Sequence, residues 1–347
     1  MQKILYTNSV SEAIDRLVTE LSPSSVHIIT DTHVEHEVLP RLALSYPVIA
    51  VKPGDTNKNI DSLTKIWAGL ICQGATRKSL AINIGGGVVT DMGGFAAATY
   101  KRGIRFINVP TTLLAAVDAA VGGKTGINFE GLKNEVGAFA PADAVIISTS
   151  LFSTLPAEEM LSGYAEMLKH GLLSSENDYT ELLGFDILDA NLERLLPLLE
   201  KSVKVKERIV EEDPREKGIR RALNLGHTTG HAFESLAIHK GAPVPHGHAV
   251  AYGMLVEMIL SHSLESFPSE ELYRYSRYLK EQGYGTPSIT CDDYASLIEY
   301  MRHDKKNDTC DSINFTLLSS PGQVLIDRTA SEAQILAAFD IFRDLME

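Results

Sequence analysis

The sequence predicts an α/β fold in two parts. A Rossmann-like N-terminal domain on a mostly parallel sheet comes first, and a mainly α-helical C-terminal domain follows. Three observations predict it. The chain has 347 residues, more than one hydrophobic core usually serves. Through about residue 150, short β-branched runs alternate with segments of helical spacing, which is the pattern of an open parallel sheet. After residue 150 helical patterns take over. The expected domains are therefore 1–150 and 151–347, with the active site in the interdomain cleft, a preferred place for small-molecule pockets.

In chain order, the expected strands are 3–7, 26–30, 47–51, 79–85, 105–110 and 144–149, each bounded by Gly, Pro, Asp or Asn. Helical spacing fills 11–21, 34–44, 57–73 and 88–99. The second half reads as helices through "PAEEMLSGYAEMLKHGLL", "NLERLLPLLEKSVKVKERIVEED", "GHTTGHAFE", "GHAVAYGMLVEMILSHSLES" and "SEELYRYSRYLKEQ". One exception, 312–326, reads as a β-hairpin with Pro-Gly at its turn.

Composition narrows the function. At 44% hydrophobic and 22% charged, the chain is an ordinary globular protein. A net charge of −13 disfavours a general nucleic-acid binder. No apolar run is long enough to cross a bilayer, so no membrane partner is expected. The first ten residues lack the apolar core and cleavage site of a signal peptide. Cys72, Cys291 and Cys310 are far apart and odd in number, which fits neither a disulfide framework nor a thiolate zinc site, so a reducing cytoplasm is expected.

Two glycine turns stand at strand ends, where ligands sit in open sheets of this kind. "NIGGGVVTD" runs from a strand through Gly86 and Gly87 into a helix, with Val88 next and Asp91 one turn in. Its backbone can approach a phosphate, although it is not the G-x-G-x-x-G fingerprint. "VPTTLLAAVDAAVGGKTG" adds Thr111, Thr112 and a second turn carrying Lys124. Together the turns favour a cofactor.

In "LNLGHTTGHAFE", His227 and His231 stand four apart on one helix and can reach one object. Two helical histidines plus an outside carboxylate is a familiar zinc arrangement, and metal ligation and proton transfer are both open to them. His246 and His248, two apart, diverge, so at most one joins His227; His246, at the start of the next helix, fits. Glu166 in "SGYAEMLKHG" is the candidate carboxylate, with Lys169 on the same face, although a surface Glu–Lys pair has the same spacing. His170 is expected to point elsewhere. Lys124, Lys133, Lys169, Lys206, Arg220, Lys305 and Lys306 supply the local cations an acidic protein needs for a phosphorylated or carboxylated substrate.

Five ordered blocks, "GGGVVTDMGGFAAATYKRG", "VPTTLLAAVDAAVGGKTGIN", "LKNEVGAF", "SGYAEMLKHG" and "ALNLGHTTGHAFE", resemble the 3-dehydroquinate synthases of the sugar-phosphate cyclase superfamily. The resemblance runs from about residue 25 to 320. It implies an NAD-dependent, Zn2+- or Co2+-dependent lyase that converts 3-deoxy-D-arabino-heptulosonate 7-phosphate to 3-dehydroquinate and phosphate. The implied route is transient oxidation of a ring hydroxyl, β-elimination of phosphate, re-reduction, ring opening and intramolecular aldol closure. Glu166, His227 and His246 are the implied metal ligands. His231 is implied in proton transfer and Glu216 in acid–base work. Implied substrate contacts are Asn134, Lys124, Lys169, Lys206, Arg220, Asn224 and one of Lys305 and Lys306. Arg102 is implied to reach the substrate phosphate across a homodimer interface. Gly86, Gly87, Val88, Asp91, Thr111, Thr112 and Lys133 are implied NAD contacts, as are Asp31, Asp55 and Lys58, while Asp118 lies near both ligands. On this reading Arg220 and Asn224 extend the histidine face toward the substrate.

Three positions depart from the family pattern. Asp55 in "GDTNK" replaces a glutamate, one methylene longer, with Lys58 retained. His33 in "DTH" replaces an asparagine. His248 replaces a common glutamate, where it would orient the metal ligand differently. Three rivals follow: another cyclase of the superfamily, a metal-dependent polyol dehydrogenase, and a non-catalytic sensor of NAD or a sugar phosphate. Arg220 and Asn224 favour the quinate precursor, since a site built to pair its carboxylate and hydroxyls rejects sugars lacking them.

Overall fold

The computed structural model describes residues 2–189, 191–302 and 313–347. They divide into two compact units, one formed by Met1–Leu155 with Asn191–Val203, the other by Pro156–Ala190 with Lys204–Glu347.

The first unit contains β1 (Lys3–Tyr6), α1 (Val10–Leu21), β2 (Val26–Asp31), α2 (Thr32–Glu37), α3 (Leu39–Leu42), β3 (Val48–Val51), α4 (Ile60–Cys72), β4 (Leu80–Gly85), α5 (Gly87–Thr99), β5 (Arg105–Pro110), β6 (Lys124–Phe129), β7 (Leu132–Phe139) and β8 (Ala144–Ile147). All six expected strands form, and they make one parallel sheet in the order β1-β8-β5-β4-β2-β3. β2, β4 and β8 are buried throughout, and apolar residues prevail in them, although His27, Thr30, Asp31 and Asn83 are buried there too. α1 turns Val10, Ala13, Ile14 and Leu17 inward at helical spacing. The chain passes from β2 out to β3, then returns to place β4 on the other side of β2. Strand order therefore reverses between β2 and β4, and the carboxyl ends of those two strands are Asp31 and Gly85. The antiparallel pair β6–β7 was not among the expected strands. The helix expected over 34–44 is two short ones, parted at Val38 with Pro40 in the first turn of the second.

The second unit contains α6 (Ala157–Ser174), α7 (Glu176–Leu183), the end of α8 (Leu192–Glu212), α9 (His227–His239), α10 (His246–Glu265), α11 (Ser269–Glu281), α12 (Tyr294–Arg302), the hairpin β9 (Asn314–Ser320) and β10 (Gln323–Thr329), and α13 (Glu332–Met346). The hairpin turns at Pro321–Gly322, as expected. α10 is the core helix, buried on every side from Gly247 to Ser261. α6 is likewise buried from Met160 to Leu173, so Glu166 and Lys169 are interior groups and not a surface pair.

Candidate active site

Two glycines of α10 bring the site helices together. A Cβ on Gly247 would lie 1.9 Å from the Ser162 carbonyl oxygen of α6, and one on Gly253 would lie 2.1 Å from the Gly226 carbonyl oxygen just before α9. No side chain fits at either contact, so the backbones cross at closest approach. Gly247 N–H also donates to Ser162 Oγ at 3.1 Å, one turn before Glu166.

At this junction Glu166, with no exposed surface, forms an ion pair with Lys169 through Oε2. Its Oε1 accepts no hydrogen bond and lies 3.5 Å from His227 Nε2 and 3.9 Å from His246 Nε2. A buried carboxylate oxygen in that state calls for a cation. The ligand atoms of Glu166, His227 and His246 lie within 4.8 Å of one another, and His231 belongs to no such group among the described residues. His227 Nδ1 donates to the Leu225 carbonyl at 3.1 Å, and His246 Nδ1 faces Glu234 Oε2 at 3.4 Å, so on both rings it is Nε2 that is turned toward Glu166. One carboxylate and two imidazoles make an O/N set that fits a divalent metal with an open position. The His231 ring stands beside the cluster, its centroid 5.4 Å from that of His227 and 5.9 Å from that of His246.

Three expectations are corrected here. His170 does not point away: it is one turn beyond Glu166 on α6, with a ring nitrogen within 4.8 Å of a Glu166 oxygen. His248 packs its ring on Tyr284, 5.0 Å between centroids, where burial lowers its pKa; the contact to the His246 ring comes from Glu234. Arg220 and Asn224 do not extend the α9 face. They belong to a 3-10 turn, Ile219–Asn224, separated from α9 by Leu225 and by Gly226 at φ 78°, and with three residues per turn a spacing of four no longer shares a face.

Glu216 has a left-handed backbone, φ 57°, and its Oε1 accepts from Asn224 Nδ2 at 3.3 Å. Asp213 organises this loop. Its carboxylate accepts from the N–H groups of Lys217, Gly218 and Arg220 at 3.0, 2.7 and 3.2 Å, led in effect by Lys217, and these donors hold its pKa below the ordinary carboxylate value. Arg220, buried, donates to the Pro214 carbonyl at 2.7 Å. Lys206 is buried on α8, and Lys305 and Lys306 lie outside the described residues.

In the first unit, Gly86 is the N-cap of the 13-residue α5 and has no side chain to cap it. Cβ atoms on Gly86 and Gly87 would meet Thr112 Cγ2 at 3.2 Å and Ala119 Cβ at 3.3 Å. Backbone N–H groups in so close a turn, at a helix N-terminus, fit a pyrophosphate. One turn in, Asp91 Oδ2 accepts from Lys58 Nζ at 2.6 Å, and the same ammonium donates to Asn134 Oδ1 at 2.5 Å. Asp55 Oδ2 accepts from Asn128 Nδ2 at 3.2 Å and lies 3.8 Å from Lys133 Nζ. Of the residues expected at NAD, Lys58 and Asp91 are thus joined, with Asn134, and Asp55 and Lys133 lie beside Asn128, whose Oδ1 accepts from the Asn134 N–H at 3.0 Å. Asp31, at the end of β2, caps α2 by accepting from the His33 and Val34 N–H groups with Oδ1. Thr112 Oγ1 accepts from Ala115 N–H, and Thr111 is buried. Asp118 lies in a π-turn, Ala115–Ala119, a local form that recurs at functional sites. Lys124 and Arg102 are exposed, and Arg102 has φ 70°.

Four contributors were missed from sequence: Glu234, Asn128, Asp213 and Glu257, a buried carboxylate of α10 that accepts from the Gly226 and Thr229 N–H groups. Glu234 was within reach, seven residues after His227 and so on the same helical face. The others act on backbone or across loops and leave no periodic signal.

The family model for the N-terminal part of 3-dehydroquinate synthase matches residues 48–162, and that for the C-terminal part matches 163–307. The chain is 48% identical to the 3-dehydroquinate synthase of Parabacteroides distasonis, over 99% of this chain and 98% of that one. It is 43% identical to the enzyme of the same name from Pyrococcus furiosus, over 84% and 85%. Among solved structures it is similar to 2-deoxy-scyllo-inosose synthase complexed with carbaglucose-6-phosphate, NAD+ and Co2+ (TM-score 0.85, 24% identity, 98% of this chain and 96% of that one). It is also similar to the 2-epi-5-epi-valiolone synthase of Streptomyces hygroscopicus with NAD+ and Zn2+ (TM-score 0.84, 22% identity, 99% and 97%). At these identities the structural likeness is one of fold.

Proposed function

We infer the chemistry of this chain from one premise: it belongs to the 3-dehydroquinate synthase family. The chain converts 3-deoxy-D-arabino-heptulosonate 7-phosphate to 3-dehydroquinate and phosphate, a carbon–oxygen lyase step of the shikimate pathway to aromatic compounds. The observation that carries this reading is the buried Glu166 oxygen with two imidazole Nε2 atoms turned to it.

When bound, NAD+ supplies a hydride acceptor that is regenerated each turnover, and a divalent metal, Zn2+ or Co2+, polarises the hydroxyl being oxidised. Glu166, His227 and His246 would hold the metal. His231, beside that set, carries a proton at its ring nitrogen, and Glu216, held by Asn224, acts as acid and base. Lys124, Asn134, Lys169, Lys206, Arg220, Asn224 and a lysine at 305–306 orient the substrate and balance its developing negative charge. Gly86, Gly87 and Val88 take the pyrophosphate on backbone N–H groups, and Asp31, Asp55, Lys58, Asp91, Thr111, Thr112 and Lys133 complete the NAD contacts, with Asp118 serving both ligands. NAD binding falls to residues 1–150, which also lend Arg102, Asp118, Lys124 and Asn134 to the substrate, and metal binding and the remaining substrate contacts fall to 151–347. The enzyme is a cytoplasmic homodimer in which Arg102 reaches the partner's substrate phosphate.

The test is phosphate release from the heptulosonate phosphate, run beside glucose 6-phosphate and sedoheptulose 7-phosphate. Release is expected from the first alone, to require NAD+, and to stop on chelation. Turnover of another sugar phosphate with the heptulosonate phosphate inert assigns a different cyclase, and net NADH accumulation assigns a dehydrogenase.

A further inference from the structure

We propose that two carboxylates outside the ligand set, Glu257 and Glu234, form a reciprocal latch between α9 and α10 that sets the distance between His227 and His246. The proposal rests on the metal reading above and names the positioning residues of that site.

α9 begins abruptly. Its N-cap is Gly226, and a Cβ there would lie 2.4 Å from Met254 Cγ, so none of the usual capping side chains fits. Glu257, with no exposed surface, does that work from α10. Its Oε2 accepts from Gly226 N–H at 2.6 Å and its Oε1 from Thr229 N–H at 3.2 Å. Two first-turn donors in a dry interior are satisfied, and a negative charge meets the positive end of the helix dipole. His227 is the first residue of that helix, so the grip is applied one residue from the ligand.

The second carboxylate mirrors the first. Glu234 of α9, 8% exposed, brings Oε2 to 3.4 Å from Nδ1 of His246, the first residue of α10. Glu234 follows His227 by seven residues, two helical turns, and Glu257 follows His246 by eleven, about three turns. Each helix thus presents a ligand and a carboxylate on one face, and each carboxylate engages the other helix at its N-terminal turn. Gly253 lets the backbones close between these two ends. A helix held only by apolar packing can slide or rotate by a fraction of an ångström. Fixing both N-terminal turns holds the two imidazoles at ligating separation before any metal arrives.

The test compares the parent protein with Glu234→Gln and Glu257→Gln, each stripped of metal. Zn2+ and Co2+ affinity is measured by competition with a chelator, and the visible absorption of Co2+ reports its ligand geometry. Both variants are expected to bind metal about 10- to 100-fold more weakly and to alter the Co2+ bands. Metal-free Glu234→Gln is expected to unfold within a few degrees of the parent. In a His246→Cys background, which keeps a ligand at that position but removes the ring, Glu234→Gln is expected to cause no further loss, because it acts through that ring. Parent-like metal affinity in both variants, or an undiminished loss in the His246→Cys background, overturns the latch. Should Glu257→Gln fail to fold, the Glu234 cycle decides alone. A parent that takes up neither metal overturns the metal reading itself, a result distinct from a metal-binding parent whose variants match it.

Discussion

Replacing Glu166 with leucine should destabilise the second unit by an amount set by burial. Glu166 and Lys169 pair with 0% and 1% of their side chains exposed. A solvent-exposed pair one turn apart would contribute at most about 1 kcal/mol, and its loss would pass unnoticed. Removing one partner of a buried pair leaves an uncompensated ammonium in the interior and costs about 3–5 kcal/mol. For a unit of this size that corresponds to roughly 6–20 °C in Tm. Leucine is close to glutamate in volume, so little cavity cost is added. Glu166→Leu with Lys169→Met removes both charges, and apolar replacement of a whole buried pair is close to neutral, so the double variant should return to within about 1–2 kcal/mol of the parent. The measurement is urea unfolding of the metal-free proteins, with far-UV circular dichroism as the signal. Neither variant should bind Zn2+ or Co2+. A single variant that loses less than about 1 kcal/mol, or a double variant no more stable than the single, refutes the reasoning.

Three further outcomes are expected. His227→Ala should lose bound metal, whereas His231→Ala should keep it and turn over poorly; equal metal loss on equilibrium dialysis sinks that division of roles. Gly253→Ala forces a Cβ to 2.1 Å from the Gly226 carbonyl oxygen and should weaken metal binding at least tenfold although it touches no ligand, and unchanged affinity would show that the α9–α10 crossing is not critical. Asp213 has its carboxyl held below its ordinary value of 3.8, so its contribution is present above that pH and is lost as pH falls through the lower folded value. Asp213→Asn should remove that part of the acid dependence of the urea midpoint below about pH 4 and lower turnover by freeing Glu216; identical pH profiles for variant and parent would contradict it.

The parts that could be read in advance share a cause. The strands buried on both faces are short runs rich in Val, Ile and Leu between turn residues, and α1 repeats its apolar residues at helical period, so local pattern reports them directly. The β6–β7 pair escaped because its residues are exposed along most of β7 and show no alternation. The spacing of His227 and His231 was legible, but spacing treats the two alike. Position decides between them: His227 Nε2 faces Glu166, while His231 stands one turn along, outside the ligand group.

By itself the sequence determined the alternation of strands and helices, the hairpin at Pro321–Gly322, the glycine turn at the start of α5, and a donor set rich enough for a metal. Each is a local property, carried by period, turn chemistry or residue type. Only the tertiary structure decided that Glu166 and Lys169 are interior, that a break at Gly226 turns Arg220 and Asn224 off the α9 face, and that Glu234 rather than His248 meets the ring of His246. Those outcomes depend on which backbones can approach closely enough to touch. That is set by the glycines at 226, 247 and 253 against partners 27 to 85 residues away in sequence, a separation no local pattern records.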